Sequence, residues 1–330
     1  MQKSVFVGID GRAHSSTEID AVVTHVMQGA EVPGLALGLI NDGKIVYLKA
    51  YGTKKTSTNE RLTENSIMAA ASLTKVAFAY LVMMLVDDRV IDLDKPVSEY
   101  LPRSLSDYPA WRDIAGDPRS KLITARMLLS HTAGLPTDRY FDPGHRLAFQ
   151  HDPGKRFDYS NESYDLLQLV VETLTGKSTE QLMQERVFRP LRMTRSSMVW
   201  QRAFESDHAD AYDEYGRSLG IQRSKQAAAA GSIQTTITDY SKLALAVLSG
   251  RGLRRNTHAQ MLSSQIPIVS KFEFPAGQPD TTDEYKGILL SYGLGVGLYH
   301  TLTGEPFSKR VTLRVGEATS YAIRIKLLAW

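Results

Sequence analysis

The chain has 330 residues, of which 39 are basic and 36 are acidic, for a formal net charge of +3. Because both signs are interspersed and no basic cluster stands out, the sequence argues against a nucleic-acid interface. The absence of cysteine excludes disulfides, thiol nucleophiles and Cys-ligated metal sites. The start MQKSVFVGID lacks the apolar core of a signal peptide, so we expect either a cytoplasmic protein or an exported one whose signal was removed.

The N-terminal part of the chain predicts a helix followed by two antiparallel strands. In residues 17–29, apolar side chains recur at helical spacing, for example at Ile19, Val22 and Val26. Two apolar runs follow, VPGLALGLI and IVYLKAYG, with NDGK between them. Because Asn-Asp-Gly between apolar runs is typical of a tight turn, we predict a β-hairpin here.

Residues 66–86 are the most apolar stretch of the chain and contain one charged side chain, Lys75. The stretch is long enough to cross a bilayer, but a lysine near its centre costs about 2.5–3.5 kcal/mol on insertion scales. Ser72 and Thr74 add polarity beside it. We therefore predict a helix buried in a globular core and no membrane span.

The middle of the chain predicts mostly helices, each with residues suited to its ends. Thr124 is a suitable N-cap for a short helix, and Ser160 is one for a longer helix that Gly176 ends. Further capped helices are predicted in residues 179–191 and 236–252.

Short β-like runs, VTLRVG and YAIRIKLLAW, occur in the last part of the chain. Strands at both ends around a helical middle predict an α/β (α+β) fold, in which an antiparallel sheet is flanked by helices and carries an inserted, mostly helical region. We predict a discontinuous platform from residues 1–71 and 215–330, and a mostly helical region from residues 72–214.

The first candidate for chemistry is Ser72-Leu73-Thr74-Lys75, because a helix that begins here places Ser72 and Lys75 on one face. The helix N-terminus favours negative charge that develops at Ser72. Burial lowers the pKa of a lysine, and a neutral amine can take the proton of a serine hydroxyl. The alternative is a lysine that reaches to solvent beside a serine that only caps the helix.

The second candidate is Tyr159-Ser160-Asn161, within FDYSNESY. A tyrosine near a lysine can share its proton, and an asparagine amide can hold a carbonyl through its donor and its acceptor. The alternative is an aromatic core residue followed by two helix-capping residues, and taken alone this segment favours that alternative.

Together, S-x-x-K followed by Y-S-N resembles the serine β-lactamase and penicillin-binding-protein superfamily, and within it the class C β-lactamases and the related family VIII-type carboxylesterases. Longer segments support the resemblance. VPGLALGLINDGKIVYLKAYG is similar to the family's first hairpin, and LLSHTAGLP is similar to its H-T-S-G-L-P element. The resemblance covers roughly residues 17–300, with the motifs in family order.

The resemblance implies a serine hydrolase that works through an acyl-serine intermediate, without metal or cofactor. Ser72 is then the nucleophile, Lys75 is its proton partner, and the Ser72 backbone N–H is one oxyanion-hole donor. Tyr159 is the general base that also protonates the leaving group, and Asn161 positions the substrate. His131, in the H-T-A-G element, is interpreted as structural.

The branch resembled favours a carboxylesterase that acts on small or medium acyl esters, and it leaves open weak β-lactamase or D-amino-peptidase activity at the same site. The expected partner is therefore a small-molecule ester or amide substrate. Two alternatives stay open: an acyltransferase that modifies a small natural product, and a catalytically impaired β-lactamase-like binding protein. The sequence does not indicate the acyl group, the leaving group or the oligomeric state.

The third motif of the family is not found where it is expected. β-Lactamases carry K-T-G on a late strand, and the esterases often carry H-x-G or W-x-G, where the strand supplies the second oxyanion N–H. This chain instead reads SKRVTLRVGEATSYAIRIKLLAW, and HTLTG at 300–304 falls where the preceding hairpin should turn. Two explanations stay open: a replacement strand through Gly316, or an altered C-terminus such as a frameshift produces.

Two other patterns are interpreted as non-functional. Residues 216–220 fit G-x-S-x-G, but polar residues flank the motif where a nucleophile elbow needs a buried strand and a helix, so Ser218 is predicted to lie in a surface turn. His131, His145, His151 and DHAD at 207–210 lack the spacing of metal ligands, and we predict no metal site.

Overall fold

The computed structural model describes residues 5–7, 12–141, 144–213, 215–271, 280–299 and 323–329. Its α-helices are α1 (Ser16–Gly29), α2 (Leu73–Asp87), α3 (Arg112–Ala115), α4 (Ala125–Leu129), α5 (Asn161–Thr175), α6 (Thr179–Met183), α7 (Ile237–Ser249) and α8 (Arg255–Met261). Its strands are β1 (Val5–Val7), β2 (Ala13–Ser15), β3 (Gly34–Asn41), β4 (Lys44–Lys55), β5 (Glu60–Arg61), β6 (Met68–Ala69), β7 (Ala211–Tyr212), β8 (Ser218–Gly220), β9 (Gln234–Thr235), β10 (Ile266–Pro267), β11 (Ser291–Tyr292), β12 (Gly297–Leu298) and β13 (Ile323–Ala329). Short 3₁₀ helices cover Val97–Tyr100, Leu105–Asp107, Pro109–Trp111, Pro118–Leu122, Arg139–Phe141, Arg202–Phe204 and Lys286–Ile288, and a π-helical turn covers Gln184–Phe188.

The largest sheet in the described ranges has four strands in the order β13-β3-β4-β5. β3 and β4 are antiparallel, with Gly34 opposite Gly52, and they confirm the predicted hairpin. Asp42 and Gly43 form its turn with φ angles of 47° and 68°, the left-handed conformation that the Asn-Asp-Gly signal favours. The mixed fold class is confirmed. Strand β13 lies within the predicted β-like run YAIRIKLLAW, but it runs parallel to β3, whereas the predicted sheet was antiparallel.

Helix α2 confirms the prediction of a buried core helix. Every side chain in residues 73–85 is buried, including that of Lys75. The helix packs against α6 and α8, and a helix that is apolar on all sides needs such a central position. None of the helices in the described part of the chain is long and apolar enough to cross a membrane.

The predicted helix ends in the middle of the chain are confirmed by their capping contacts. The Thr124 side chain accepts a hydrogen bond from the Met127 N–H, and the Ser160 side chain accepts one from the Ser163 N–H at 3.0 Å. Gly176 ends α5 in the left-handed conformation, with φ of 65°. These local contacts fix where α5 starts, and with it the position of the Tyr-Ser-Asn segment.

Helix α1 forms where the apolar spacing predicted it, but its apolar face is not buried. Ser15 and Glu18 build a capping box at its start. Val22 and Val26, by contrast, are 63% and 55% exposed. The spacing therefore located the helix correctly, and it did not indicate how the helix packs.

The β11–β12 hairpin lies against α2 at a glycine that tolerates no substitution. Gly295 has φ of 86°, and a Cβ there would lie 2.2 Å from the Cβ of Ala79. Its N–H donates a hydrogen bond to the Leu129 carbonyl at 3.1 Å. The hairpin is thereby held between α2 and α4, which brings Tyr292 close to the aromatic side chains described below.

One hydrophobic cluster includes side chains from the predicted platform and from the predicted helical region, for example Ala36, Phe78 and Val170. The division into a platform of residues 1–71 and 215–330 and a helical region of residues 72–214 stays a prediction.

Candidate active site

Ser72 occupies the N-cap position of α2, but its side chain does not cap the helix. The first turn is closed by backbone contacts instead, because the N–H groups of Leu73 and Thr74 donate to the carbonyls of Ala70 and Ala71 at 2.9 and 3.0 Å. Ala71 has φ of 45°, a left-handed conformation that persists in non-glycine residues only where the surroundings hold it. The hydroxyl of Ser72 is therefore left available for a contact other than capping.

That contact is with Lys75, whose side chain is 1% exposed and does not reach solvent. Its Nζ donates hydrogen bonds to Ser72 Oγ at 3.2 Å and to the Ala230 carbonyl at 2.6 Å. The predicted i, i+3 pair is thus formed, and the alternative of a solvent-reaching lysine does not fit. A neutral amine in this place can keep donating to the carbonyl while its lone pair accepts the serine proton.

Tyr159 lies beside this pair and is buried. The Lys75 Nζ is 4.8 Å from the centroid of the Tyr159 ring and 5.6 Å from that of the Tyr164 ring. Aromatic faces attract an ammonium group, so both rings offset part of the cost of burying Lys75. The structure therefore brings together three of the predicted site residues, which lie far apart in the sequence.

Asn161, the fourth predicted site residue, is the first residue of α5 and is half-buried. Its backbone N–H donates to the Thr137 carbonyl at 2.8 Å, and the Thr137 hydroxyl donates to the Tyr159 carbonyl at 2.8 Å. Thr137 thus ties both residues to one loop. The substrate-positioning role of Asn161 stays a prediction.

His131 lies at the centre of an aromatic cluster next to Tyr159. Its ring centroid is 4.5 Å from that of Tyr159 and 5.0 Å from that of Tyr292. Its Nδ1 accepts a hydrogen bond from the Ser160 N–H at 3.1 Å, and its carbonyl accepts one from the Asp158 N–H at 2.8 Å. Both contacts hold the backbone on either side of Tyr159, which supports the structural interpretation of this histidine.

Burial sets the protonation of the site. It lowers the pKa of Lys75 to about 7, and the nearby carboxyl of Asp165 opposes the shift. Asp165 is accessible to solvent, but the surrounding protein desolvates its carboxyl and raises its pKa to about 6. Burial, together with the charge of Lys75, also holds the pKa of His131 well below 6.5, so this histidine is neutral at physiological pH.

Two features of the site were missed in the sequence. Ala230 contributes a backbone carbonyl, which no side-chain pattern marks, and AAAAG at 227–231 reads as a featureless run. Asp165 could have been found, because it lies four residues after Asn161 and thus on the same face of α5.

The remaining predictions concern residues away from this cluster. Ser218 is exposed at the surface, as predicted, but it lies in the short strand β8 and not in a turn. Its hydroxyl donates a hydrogen bond to Asp210 Oδ2 at 2.8 Å. Within the ranges that the structure describes, no group of three potential metal ligands comes together. HTLTG at 300–304 and Gly316 lie outside the described residues.

The fold combines a mixed sheet with a buried helix that carries Ser-x-x-Lys, and a Tyr-Ser-Asn segment lies beside that helix. These features define a protein of the serine β-lactamase and penicillin-binding-protein superfamily. Members of this superfamily are serine hydrolases. The family model described as Beta-lactamase matches residues 19–309. The chain belongs to the Beta-lactamase family, and the class C-like resemblance seen in the sequence is confirmed.

Relatives and solved structures agree with this assignment. Protein flp of Staphylococcus aureus (strain NCTC 8325 / PS 47) is 26% identical over 225 residues, which are 63% of this chain and 43% of that protein. The D-alanyl-D-alanine-carboxypeptidase/endopeptidase AmpH of Escherichia coli (strain K12) is 29% identical over 196 residues, which are 54% of this chain and 49% of that protein. The chain thus spans less than half the length of these relatives.

Two solved structures share the fold. The octameric penicillin-binding protein homologue from Pyrococcus abyssi superposes with a TM-score of 0.68 at 23% identity, over 88% of this chain and 66% of that one. The D-alanine carboxypeptidase AmpC from Burkholderia cenocepacia superposes with a TM-score of 0.65 at 20% identity, over 85% of this chain and 73% of that one.

Proposed function

We propose that the chain is a serine hydrolase that forms an acyl-serine intermediate at Ser72, and that it is a carboxylesterase for small or medium acyl esters. One observation carries the proposal: Lys75 is buried, and its Nζ lies 3.2 Å from Ser72 Oγ. Because its pKa is about 7, a large fraction of the amine is neutral at physiological pH and can act as a base.

The reaction begins when Ser72 Oγ attacks the substrate carbonyl carbon and its proton passes to the Lys75 amine. The negative charge on the carbonyl oxygen is stabilised by the Ser72 N–H and the N-terminus of α2. When the tetrahedral intermediate collapses, the bond to the leaving oxygen breaks. Tyr159 gives that oxygen its proton and regains one from Lys75, so the proton of Ser72 ends on the released alcohol.

Deacylation repeats the sequence with water as the nucleophile. Tyr159 and Lys75 accept a proton from the attacking water and return it to Ser72 Oγ when the acid leaves. Asn161, at the start of α5, holds the acyl carbonyl through its amide. An alcohol in place of water makes the same site an acyltransferase.

Amide substrates are the second candidate class, which the name of the Escherichia coli relative, a carboxypeptidase/endopeptidase, supports. A D-amino-acyl amide or a β-lactam would acylate Ser72 by the same steps. An acyl-serine forms in both cases, and so the first experiment does not depend on the substrate class.

The experiment is active-site labelling with a fluorophosphonate, followed by intact mass and peptide mapping. We expect one adduct per chain, on Ser72, and the same adduct in Ser218→Ala, since Ser218 lies in a surface strand. Folded wild-type protein that takes up no adduct would show an impaired binding protein instead. Turnover of p-nitrophenyl esters, with and without an added alcohol, then separates hydrolysis from acyl transfer, and a chromogenic cephalosporin reports β-lactamase activity.

The rate of labelling is expected to rise with pH through about 7 and to level off above it, because Lys75 accepts a proton only when its amine is neutral. Ionisation of Asp165, with a pKa of about 6, adds a nearby negative charge that favours the ammonium form and broadens the rise. The measurement is the second-order rate constant for inactivation between about pH 5 and about pH 9. A rate that falls with pH over this range contradicts the role of Lys75 as the base.

A further inference from the structure

The Ala230 carbonyl that accepts a hydrogen bond from Lys75 belongs to a segment of alanines, residues 227–230, whose own side chains can make no hydrogen bonds. The carbonyl lies 2.6 Å from the Lys75 Nζ and accepts one of its N–H bonds. This contact fixes the directions of the other N–H bonds and of the lone pair. The geometry of the Ser72–Lys75 pair therefore depends on what keeps this segment in place.

Gln168, on α5, binds the segment with both ends of its amide. Its Nε2 donates to the Ala227 carbonyl at 3.0 Å, and its Oε1 accepts from the Ala229 N–H at 2.7 Å. The orientation of the amide is unambiguous, because only the oxygen can accept from a backbone N–H and only the nitrogen can donate to a carbonyl. Gln168 thus contacts the backbone of the alanine segment as a neighbouring strand would, through one donor and one acceptor.

Gln168 is itself anchored. Its Nε2 also donates to Glu172 Oε1 at 3.1 Å, and the same carboxylate oxygen accepts from the Thr179 N–H at 2.8 Å and the Thr179 hydroxyl at 2.7 Å. The amide is therefore part of the junction between α5 and α6, which stiffens it.

The other end of the segment is held by α2. The Ile233 N–H donates to Thr74 Oγ1 at 3.0 Å, and the Ile233 carbonyl accepts from the Ala70 N–H at 2.8 Å. Ala230 lies between these two attachments and within a local turn, in which the Ala228 carbonyl accepts from the Gly231 N–H at 3.0 Å and the Ala228 N–H donates to Ser232 Oγ at 2.9 Å. The direction of its carbonyl is therefore set by this turn together with Gln168 on one side and the start of the nucleophile helix on the other.

We propose that Gln168 is a positioning residue. It holds the Ala230 carbonyl against Lys75 Nζ and thereby directs the lone pair of the neutral amine towards Ser72. The inference rests on the proposed function, because it assigns Gln168 a role in the same proton transfer. Gln168 contacts neither Ser72 nor Lys75 in the hydrogen bonds of the described residues, and it acts through the alanine segment.

Other groups also face Lys75 and must be kept apart from this effect. Asp165, on α5, stabilises the ammonium by its charge, while the rings of Tyr159 and Tyr164 lie within 4.8 and 5.6 Å of Nζ. His131, from the loop after α4, is neutral. A substitution of Gln168 replaces none of these four residues. It removes the support of the alanine segment and the contact with Glu172.

The test is the pH dependence of fluorophosphonate labelling in Gln168→Leu. A carbonyl stabilises an ammonium more than a neutral amine, so its displacement lowers the midpoint of the profile by about half to one pH unit. The misdirected lone pair lowers the limiting rate at high pH about five- to tenfold. A folded fraction that is constant with pH scales every rate constant equally and leaves the midpoint unchanged, and Gln168→Met provides a second measurement if Gln168→Leu folds poorly.

Gln184→Leu is the matched control. Its Nε2 also donates to a glutamate one turn away, Glu180 at 2.9 Å, and to a backbone carbonyl, Ser196 at 3.1 Å, but it does not touch the alanine segment. We expect an unchanged midpoint in this variant. An unchanged midpoint in Gln168→Leu and Gln168→Met, with normal labelling of wild type at Ser72, overturns the inference alone. Wild type that is not labelled at Ser72 overturns the proposed function and the inference with it.

Discussion

Ser72→Ala is expected to lower kcat/KM for a p-nitrophenyl ester by about 10⁴–10⁶-fold, since the residue that forms the acyl bond is gone while the oxyanion site stays. The fold should be unaffected. The Ser72 side chain makes no capping hydrogen bond, and so α2 loses no support when the hydroxyl is removed. Steady-state kinetics and thermal unfolding of the same preparation measure both effects.

Ser178→Ala is the matched control for this variant. Ser178 caps α6, because its hydroxyl accepts a hydrogen bond from the Gln181 N–H at 3.2 Å. Its loss should cost about 1 kcal/mol of stability and leave activity intact, the reverse of what we expect at Ser72. Residual activity in Ser72→Ala within about tenfold of wild type would place the nucleophile elsewhere.

Lys75→Met is expected to lower the acylation rate about 10³–10⁴-fold and to remove the rise of the rate near pH 7, because the base is replaced by an apolar side chain of similar length. Lys242→Met serves as the control, since this lysine pairs with Asp239 at 2.7 Å and is partly exposed. It should keep both the rate and the pH profile. A profile that still rises near pH 7 in Lys75→Met would assign the inflection to another group.

The same variant has a consequence for stability whose sign is set by linkage. In the folded protein the pKa of Lys75 is about 7, and in the unfolded chain a lysine has a pKa of about 10.4. Between these values the unfolded state binds more protons, so this residue makes the stability of wild type increase with pH across that window and not below it. Lys75→Met should remove that increase, and the difference between the melting temperatures of the two proteins should shrink as the pH rises from about 7 to about 10.

Much of the fold could be predicted because its signals are local. Thr124 and Ser160 mark helix starts through contacts within three residues, and Asp42-Gly43 marks a turn through its own backbone conformation. The burial of α2 was predictable as well, since the helix is apolar on every side. The exposure of the apolar face of α1 was not predictable, because the burial of a helix face depends on how the rest of the chain packs.

The candidate site divides in the same way. Ser72 and Lys75 are one helical turn apart, and their contact follows from their spacing. The position of Tyr159 in the site could be predicted only from the resemblance to a known family, since no spacing rule places it beside Lys75. Ala230 and Gln168 could not be predicted at all, because their roles depend on a backbone carbonyl and on an amide that crosses between segments far apart in the sequence.

The burial of residues 73–85 of α2 means that the chemistry of the site exists only in the native state. In an unfolded or partly folded chain, Lys75 is hydrated and protonated, and Ser72 is an ordinary serine. The fraction of chains that react at Ser72 therefore reports the fraction in which α2 is packed in the core. During refolding, reactivity should return when the core has packed around α2 and not when the helix forms. The rate of labelling by a covalent probe of this serine therefore reports the completion of core packing.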